Sequence, residues 1–369
     1  MKILDRFLGK VLRKQWPPEL VEKYVGNYRQ TYLAYATDES FRVNAASGGS
    51  VTSLLAYLLQ IGQIDGALVC RTRVEENKVR AEFFIAKTVE ELKSAQGSKY
   101  ISVFFASQAT PLIRKFNGRL AVVGLPCDID ILTRGCQDNM ELKEKVILKI
   151  ALFCGGNSEP ILTERILRRL NHENHNLTDF RFKIGHWHGN LRASFDNGQI
   201  ITKPFSCFSD YRNLYFFCQR KCHYCHDHTG YFSDISAGDI WSFRMKEHPI
   251  KHNSLITRSE LGDQIVQNAL SEKILTGHTE PINEICEGQA RTLPTHYNVT
   301  ARSRLGWIAG EKIKDTVHAR VRWNEYIVAA MVLFNERFSR SKMGQKIIFK
   351  MPRQVWKLYL YFYKMMESL

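Results

Sequence analysis

Cys218, Cys222 and Cys225 form a C-x3-C-x2-C run, and soon after it the chain reads Asp234-Ile235-Ser236-Ala237-Gly238-Asp239-Ile240-Trp241. The opening Met1 to Lys10 carries positive charge but has no apolar stretch and no small-residue cleavage site, so it does not read as a signal peptide. In such a chain three thiols this close point to a metal or iron-sulfur centre rather than to disulfides. A cubane cluster or a closed zinc site takes four ligands, so the run needs another donor from a distant part of the fold.

No run of about 18 apolar residues is present to span a bilayer. The expected compartment is a reducing cytoplasm, where the nine cysteines are free to act as ligands. A chain of 369 residues with 44% hydrophobic content has room for two or three domains. The net charge of +15 is unevenly placed, because residues 300–369 hold 14 Lys or Arg against 5 Asp or Glu. That stretch also carries Trp307, Trp323, Trp356, Tyr359, Tyr361, Phe362 and Tyr363. Cations mixed with interfacial aromatics suit an anionic membrane surface, and equally a solvated helical cap. No nucleic-acid motif accompanies the charge, so no nucleic-acid partner is expected.

Residues 1–40, with Trp16-Pro17-Pro18, read as an irregular lead-in, and order begins near Phe41. From Asn44-Ala45-Ala46-Ser47-Gly48-Gly49 the chain enters a Leu-rich helical run stopped by Gly62. Strands follow at Gly66 to Cys70 and Val79 to Ala86, and Thr88 to Glu91 has capping-box spacing. Arg119 to Gly124 is a strand emptying into Leu125-Pro126-Cys127-Asp128. Val146 to Cys154 repeats the pattern before a helix from Ile161 to Leu170. Strands alternating with helices give an α/β fold with a mixed, partly parallel sheet, and ligands of such sheets sit beyond the strands' carboxyl ends. Cys127 and Cys154 would then share one edge. The hairpin signal Asp196-Asn197-Gly198 marks an antiparallel insert over 178–204. A further strand spans Ser233 to Trp241, and Ser254 to Thr257 leads into an amphipathic helix from about Glu260.

Thiolate-only ligation favours an iron-sulfur centre over zinc, although His223, His226 and His228 beside the run keep zinc as a competitor. Cys70, Cys136, Cys207 and Cys286 read as small buried hydrophobes. The Ser47-Gly48-Gly49 turn at a helix N-terminus could bind an anion or act only as a cap. The loop Gly97-Ser98-Lys99-Tyr100 could clamp a phosphate-bearing ring or merely turn a corner. Asp234 and Asp239 read as turn-shaping residues, and His186 and His188 as structural.

Six blocks in order resemble the coenzyme F-420 hydrogenase/dehydrogenase beta-subunit family of iron-sulfur flavoproteins. These are Ala46-Ser47-Gly48-Gly49 with Gly62-x-x-Asp65-Gly66, Gly97-Ser98-Lys99-Tyr100, Gly124-x-Pro126-Cys127, Phe153-Cys154-Gly155, the cysteine run, and Ser233-Asp234-Ile235-x-x-Gly238-Asp239-Ile240-Trp241. The resemblance covers about 41–270. It implies a FAD-binding part over 41–145, an iron-sulfur part over 146–298 and a basic, aromatic helical extension over 299–369. It also implies a layered flavoprotein core, with FAD at Ser47, Gly48, Gly49, Ser98, Lys99 and Tyr100. A [4Fe-4S] cluster would draw on Cys127, Cys154, Cys218, Cys222 and Cys225, with the clustered three plus Cys127 preferred because Cys127 begins a helix.

The activity implied is an oxidoreductase; no catalytic residue is assigned. Residues 1–43 contain no cysteine, unlike family members that begin with a ferredoxin-like module, so an external donor such as ferredoxin is expected. The resemblance extends to surface-polysaccharide enzymes acting near the membrane. A non-catalytic electron-transfer subunit and a zinc-stabilised binding protein are the alternatives.

Overall fold

The computed structural model describes residues 16–170, 175–186, 188–245 and 248–369. Among the described residues, eleven strands form two sheets: β1 Gln30–Ala36, β2 Gly66–Glu75, β3 Lys78–Ala86, β4 Leu120–Gly124, β5 Val146–Leu152, β6 Leu177–Ile184, β7 Asn190–Phe195, β8 Ile200–Pro204, β9 Ile235–Asp239, β10 Asn253–Thr257 and β11 Leu275–Thr279. Eight lie in one sheet in the order β11-β1-β10-β9-β5-β4-β2-β3, and β6-β7-β8 form a separate antiparallel sheet. The fold is the mixed α/β architecture expected from the alternation of strands and helices, with the antiparallel insert in its own sheet.

Direction decides where a site can form. The pairs β2–β4, β4–β5 and β5–β9 are parallel, whereas β9–β10 and β10–β1 are antiparallel, so β1 runs with β9. The carboxyl ends of β1, β4, β5 and β9 therefore meet at one edge. They feed the segments starting at Thr37, Leu125, Phe153 and Ile240, which is where an open α/β sheet binds its ligands.

The strand β1 overturns the irregular lead-in expected over 1–40. Residues 16–40 hold the helix Pro18–Val25 and a strand inside the sheet, while residues 1–15 lie outside the described part of the chain. Pro18 suits the first position of a helix, because its missing N–H would have had no partner there and its φ is already helical.

Both faces of the central strands are buried, as in sheets covered on two sides. On β2 and β4, Ala67, Val69, Ala121 and Val123 face one core with Leu54, Leu55 and Leu58 of the helix Ser50–Gln60. Leu68, Leu120 and Val122 face the other, with Ile113, Ile129 and Leu132 from the helices Phe105–Lys115 and Pro126–Asp138. That second core runs on through Phe180 and Phe182 of the insert to Val332, Ile348, Trp356, Leu360 and Tyr363. The extension over 299–369 is thus a packed helical layer. Thr88 caps the helix Val89–Ser94 in a full capping box with Glu91, as its spacing requires.

Candidate iron-sulfur and flavin site

The cysteine run lies on a loop tied to the segment after β5. Cys154 N–H donates to the His228 carbonyl at 3.0 Å, Glu159 N–H to Phe217 at 2.7 Å and Gln219 N–H to Asn157 at 3.0 Å. This stitching draws the five candidate thiols together. Cys218 hydrogen-bonds Cys222, Cys222 acts on Cys154 and Cys225, and Cys154 and Cys225 both act on Cys127. The backbone N–H of Asn157 donates to Cys222 Sγ at 3.4 Å, the type of contact that tunes a cluster sulfur.

Burial raises the thiol pKa of Cys154 to about 11 and pushes those of Cys127 and Cys225 up as well. At Cys127 this desolvation, helped by the adjacent Asp128 carboxylate, overrides the stabilisation expected from its place at a helix start. Cys222 moves the other way, chiefly because Cys218 hydrogen-bonds it and then because of the Asn157 N–H and the Lys221 and Arg212 charges. Lys221 and Arg212 supply positive charge around the thiols, as an anionic thiolate centre needs.

An all-thiol donor set is the kind that iron-sulfur clusters favour, and zinc takes thiolates as well. Two of the neighbouring histidines have partners away from the thiols, although the buried Nε2 of His223 has none among the described residues. His223 Nδ1 is 3.1 Å from Glu311, while His228 has Nδ1 2.9 Å from the Cys154 carbonyl and Nε2 3.1 Å from Gln289.

Beside the thiols lies a cavity of about 1030 Å³, at the top of the range for small-molecule sites and large enough for a dinucleotide cofactor. Of the residues expected to hold FAD, Ser47, Gly49, Ser98, Lys99 and Tyr100 line it. Gly48 packs beneath the turn, where a Cβ would meet the Ala34 and Lys251 carbonyls and Tyr35 at 2.9 to 3.0 Å. Gly49 takes φ +76° as N-cap of the helix Ser50–Gln60. Val51 and Thr52 also line the cavity in that helix's first turn, whose N–H groups have no helical acceptor. This is a fitting cradle for a phosphate.

Lys99 departs from the expected phosphate clamp. Its ammonium donates to the Ala95 carbonyl and, at 2.8 Å, to that of Gly97, and burial lowers its pKa to about 8. It shapes its own loop. Tyr100 stacks on Phe205 at 5.2 Å, with the Arg212 guanidinium 4.8 Å from its ring centre.

Arg212 and Gln289 line the cavity without having carried a signal in the sequence, and so do His188, read there as structural, His228, read as a zinc competitor, and Trp241 of the last matching block. Asp227 accepts the N–H groups of Thr229, Gly230 and Tyr231, holding the loop that follows the cysteines. Asp239 pairs with the buried Lys183, whose ammonium lies over Trp241. Asp234, read from the sequence as turn-shaping, accepts the Lys149 N–H of β5 at 2.7 Å and so acts on the strand pairing. His186 Nε2 lies 2.8 Å from the His248 carbonyl, away from any thiol contact.

Cys154 alone of the five thiols also lines the cavity, which makes it part of the wall between the two compartments. Gly238 lines the cavity too and packs directly on that wall, since a Cβ there would overlap the Phe153 ring. Gly238→Ala is therefore expected to cost about 1–3 kcal/mol through overpacking. Thermal unfolding should show a lower Tm, and an unchanged Tm would deny the contact.

The chain matches two family models in order. The one described as coenzyme F420 hydrogenase/dehydrogenase, beta subunit N-term, covers residues 31–108, and its companion for the C terminus of the same beta subunit covers 117–283. The coenzyme F420 hydrogenase subunit beta of Methanosarcina barkeri is 25% identical over 271 residues, covering 72% of this chain and 87% of its own. Its namesake from Methanothermobacter thermautotrophicus is 26% identical over 294 residues, 76% of this chain and 98% of that protein. The coenzyme F420-dependent sulfite reductase of Methanocaldococcus jannaschii is 25% identical over 249 residues, 63% of this chain but 36% of the reductase. Among solved structures, a chain of the F420-reducing [NiFe] hydrogenase complex from Methanosarcina barkeri superposes with a TM-score of 0.60 at 20% identity. That match covers 82% of this chain and 99% of the other, so the two share a fold. With both family models matched across the strands that build this edge, the chain belongs to the coenzyme F420 hydrogenase/dehydrogenase beta-subunit family.

Proposed function

We propose that the chain is an iron-sulfur flavoprotein oxidoreductase passing electrons between an external donor, such as ferredoxin, and a substrate. The observation that carries this reading is Cys154, which belongs both to the group of thiols and to the wall of the cavity holding the Ser47–Gly49 turn. FAD, when bound, supplies the conversion between hydride transfer and single electrons. The residues do the positioning. The first turn at Val51 and Thr52 offers N–H groups to phosphate, Tyr100 and Arg212 form a stacked wall, and Cys218, Cys222, Cys225 and Cys127 would hold a [4Fe-4S] cluster, with Cys154 facing the cavity.

Ferredoxins are usually acidic, which suits a chain of net charge +15. The basic segment 300–369 would keep the protein peripheral at a cytoplasmic membrane face, where a glycan precursor for surface polysaccharide is the proposed substrate class. A second reading, a non-catalytic electron-transfer subunit, is favoured by the relatives named as hydrogenase subunits.

Anaerobic purification followed by iron, sulfide, zinc and flavin analysis tests the first reading. About four irons and one FAD per chain are expected, as a single cubane cluster requires. Zinc without flavin would overturn it. Oxidation of reduced ferredoxin coupled to turnover by the isolated chain would reject the subunit reading.

A further inference from the structure

The helix Arg353–Ser368, outside the family match, carries two adjoining faces that each have a use. Val355, Leu358, Phe362, Met365 and Leu369 recur at spacings of three and four, forming one stripe along the helix and its last residue. All five are between 42% and 73% exposed. The preceding helix Lys342–Lys350 adds exposed Met343 and Ile347. A soluble chain does not leave this much apolar side chain in a row without an occupant for it.

The charges around the stripe choose the occupant. Residues 341–369 contain six Lys or Arg and one acid, Glu367, which is buried against Arg291 and Thr295. Lys342, Lys346 and Lys350 are exposed, and Lys357 and Lys364 half-exposed. A second copy of the chain on this face would set lysines against lysines with no carboxylate to separate them. Anionic headgroups complement them, and acyl chains take the apolar stripe. No helix among the described residues is long and apolar enough to cross a membrane, so contact would be interfacial.

We infer that this stripe docks on an anionic lipid bilayer and sets the open side of the cofactor cavity against the headgroup layer. Lys357, Tyr361, Lys364 and Ser368 line the cavity from the helix face next to the stripe, and the exposed Met365 belongs to both. Substrate would therefore enter from the membrane surface. The inference deepens the peripheral location proposed above and does not depend on which cofactors are bound.

Flotation of the full-length holoprotein with vesicles tests it, with iron and flavin measured on the same preparation so that loss of cofactor and loss of docking are read separately. Vesicles of phosphatidylglycerol and phosphatidylcholine should carry the protein up at least tenfold more than phosphatidylcholine alone. The surface variant Leu358→Glu/Phe362→Glu should lose that binding tenfold while keeping its absorbance spectrum and Tm. Failure to float on either vesicle would overturn the inference, as would flotation unaffected by the double substitution. A wild-type dimer that the double substitution turns into a monomer would assign the stripe to a second copy instead.

Discussion

Cys222→Ser should purify without the brown chromophore expected of the wild type, its iron content reduced several-fold. Cys222 is the thiol most tightly woven into the group. It is hydrogen-bonded by Cys218, accepts the Asn157 N–H and acts on both Cys154 and Cys225. A serine hydroxyl is a harder and shorter ligand than the thiolate that iron-sulfur clusters favour, so the cluster loses a strong bond without a large change in side-chain volume. The fold itself should tolerate the change, because Cys222 belongs to none of the apolar cores. Cys286→Ser is the matching control: Cys286 is buried with Trp16 and Ile285 in a separate small core, and its loss should leave the iron content unchanged. An unaltered spectrum for Cys222→Ser would remove that residue from the ligand set.

Arg302→Ala should be the most destabilising single substitution near the site, by more than about 4 kcal/mol in anaerobic urea unfolding. The fully buried guanidinium donates to four backbone carbonyls: His223 at 2.8 Å, Thr295 at 2.6 Å, Cys225 at 2.7 Å and His296 at 2.9 Å. Each carbonyl left buried without a donor costs about 1–3 kcal/mol, and alanine removes all four bonds together. Two of the four carbonyls belong to the cysteine loop, so iron should also leave faster under a chelator. Arg302→Lys keeps the charge but has no planar fork to span four acceptors, and should fall between the two. A loss below about 1 kcal/mol for the alanine variant would show that the loop holds itself.

Features fixed by short-range chemistry were legible in the sequence. The capping box at Thr88, the turn at Asn197-Gly198 and the strands ending at Gly124 and near Cys154 all follow from local periodicity or turn residues. The turn at Ser47 to Gly49 and the loop at Gly97 to Tyr100 were each open to a purely structural reading, and only the family resemblance pointed to the cavity that Ser47, Gly49 and Tyr100 line. β1 was not legible. It is seven residues long, follows a Pro-started helix, and its place is set by pairing with β10 more than 200 residues away, as Gln30 opposite Thr257 shows. The order β11-β1-β10-β9 therefore emerges only from tertiary pairing. Arg302 looked like one more cation in a basic tail, since nothing in its neighbourhood signals four carbonyls brought from two other segments. Lys99 shows the converse: a cation in a promising loop donates to the carbonyls of its own loop.

The clamp by Arg302 also has a bearing on how the chain is made. Arg302 lies 77 residues after Cys225, whose carbonyl it holds. At synthesis rates of about 5–20 residues per second, the thiols leave the ribosome roughly 4–15 s before the side chain that fixes their loop. Nascent chains would thus pass through a period in which Cys218, Cys222 and Cys225 are open to oxidants and to stray metal ions. A cell producing this protein would gain from delaying metal delivery until the C-terminal helices have closed over the loop. Ribosome-bound chains halted near residue 298 should accordingly be alkylated at these cysteines far faster than released ones.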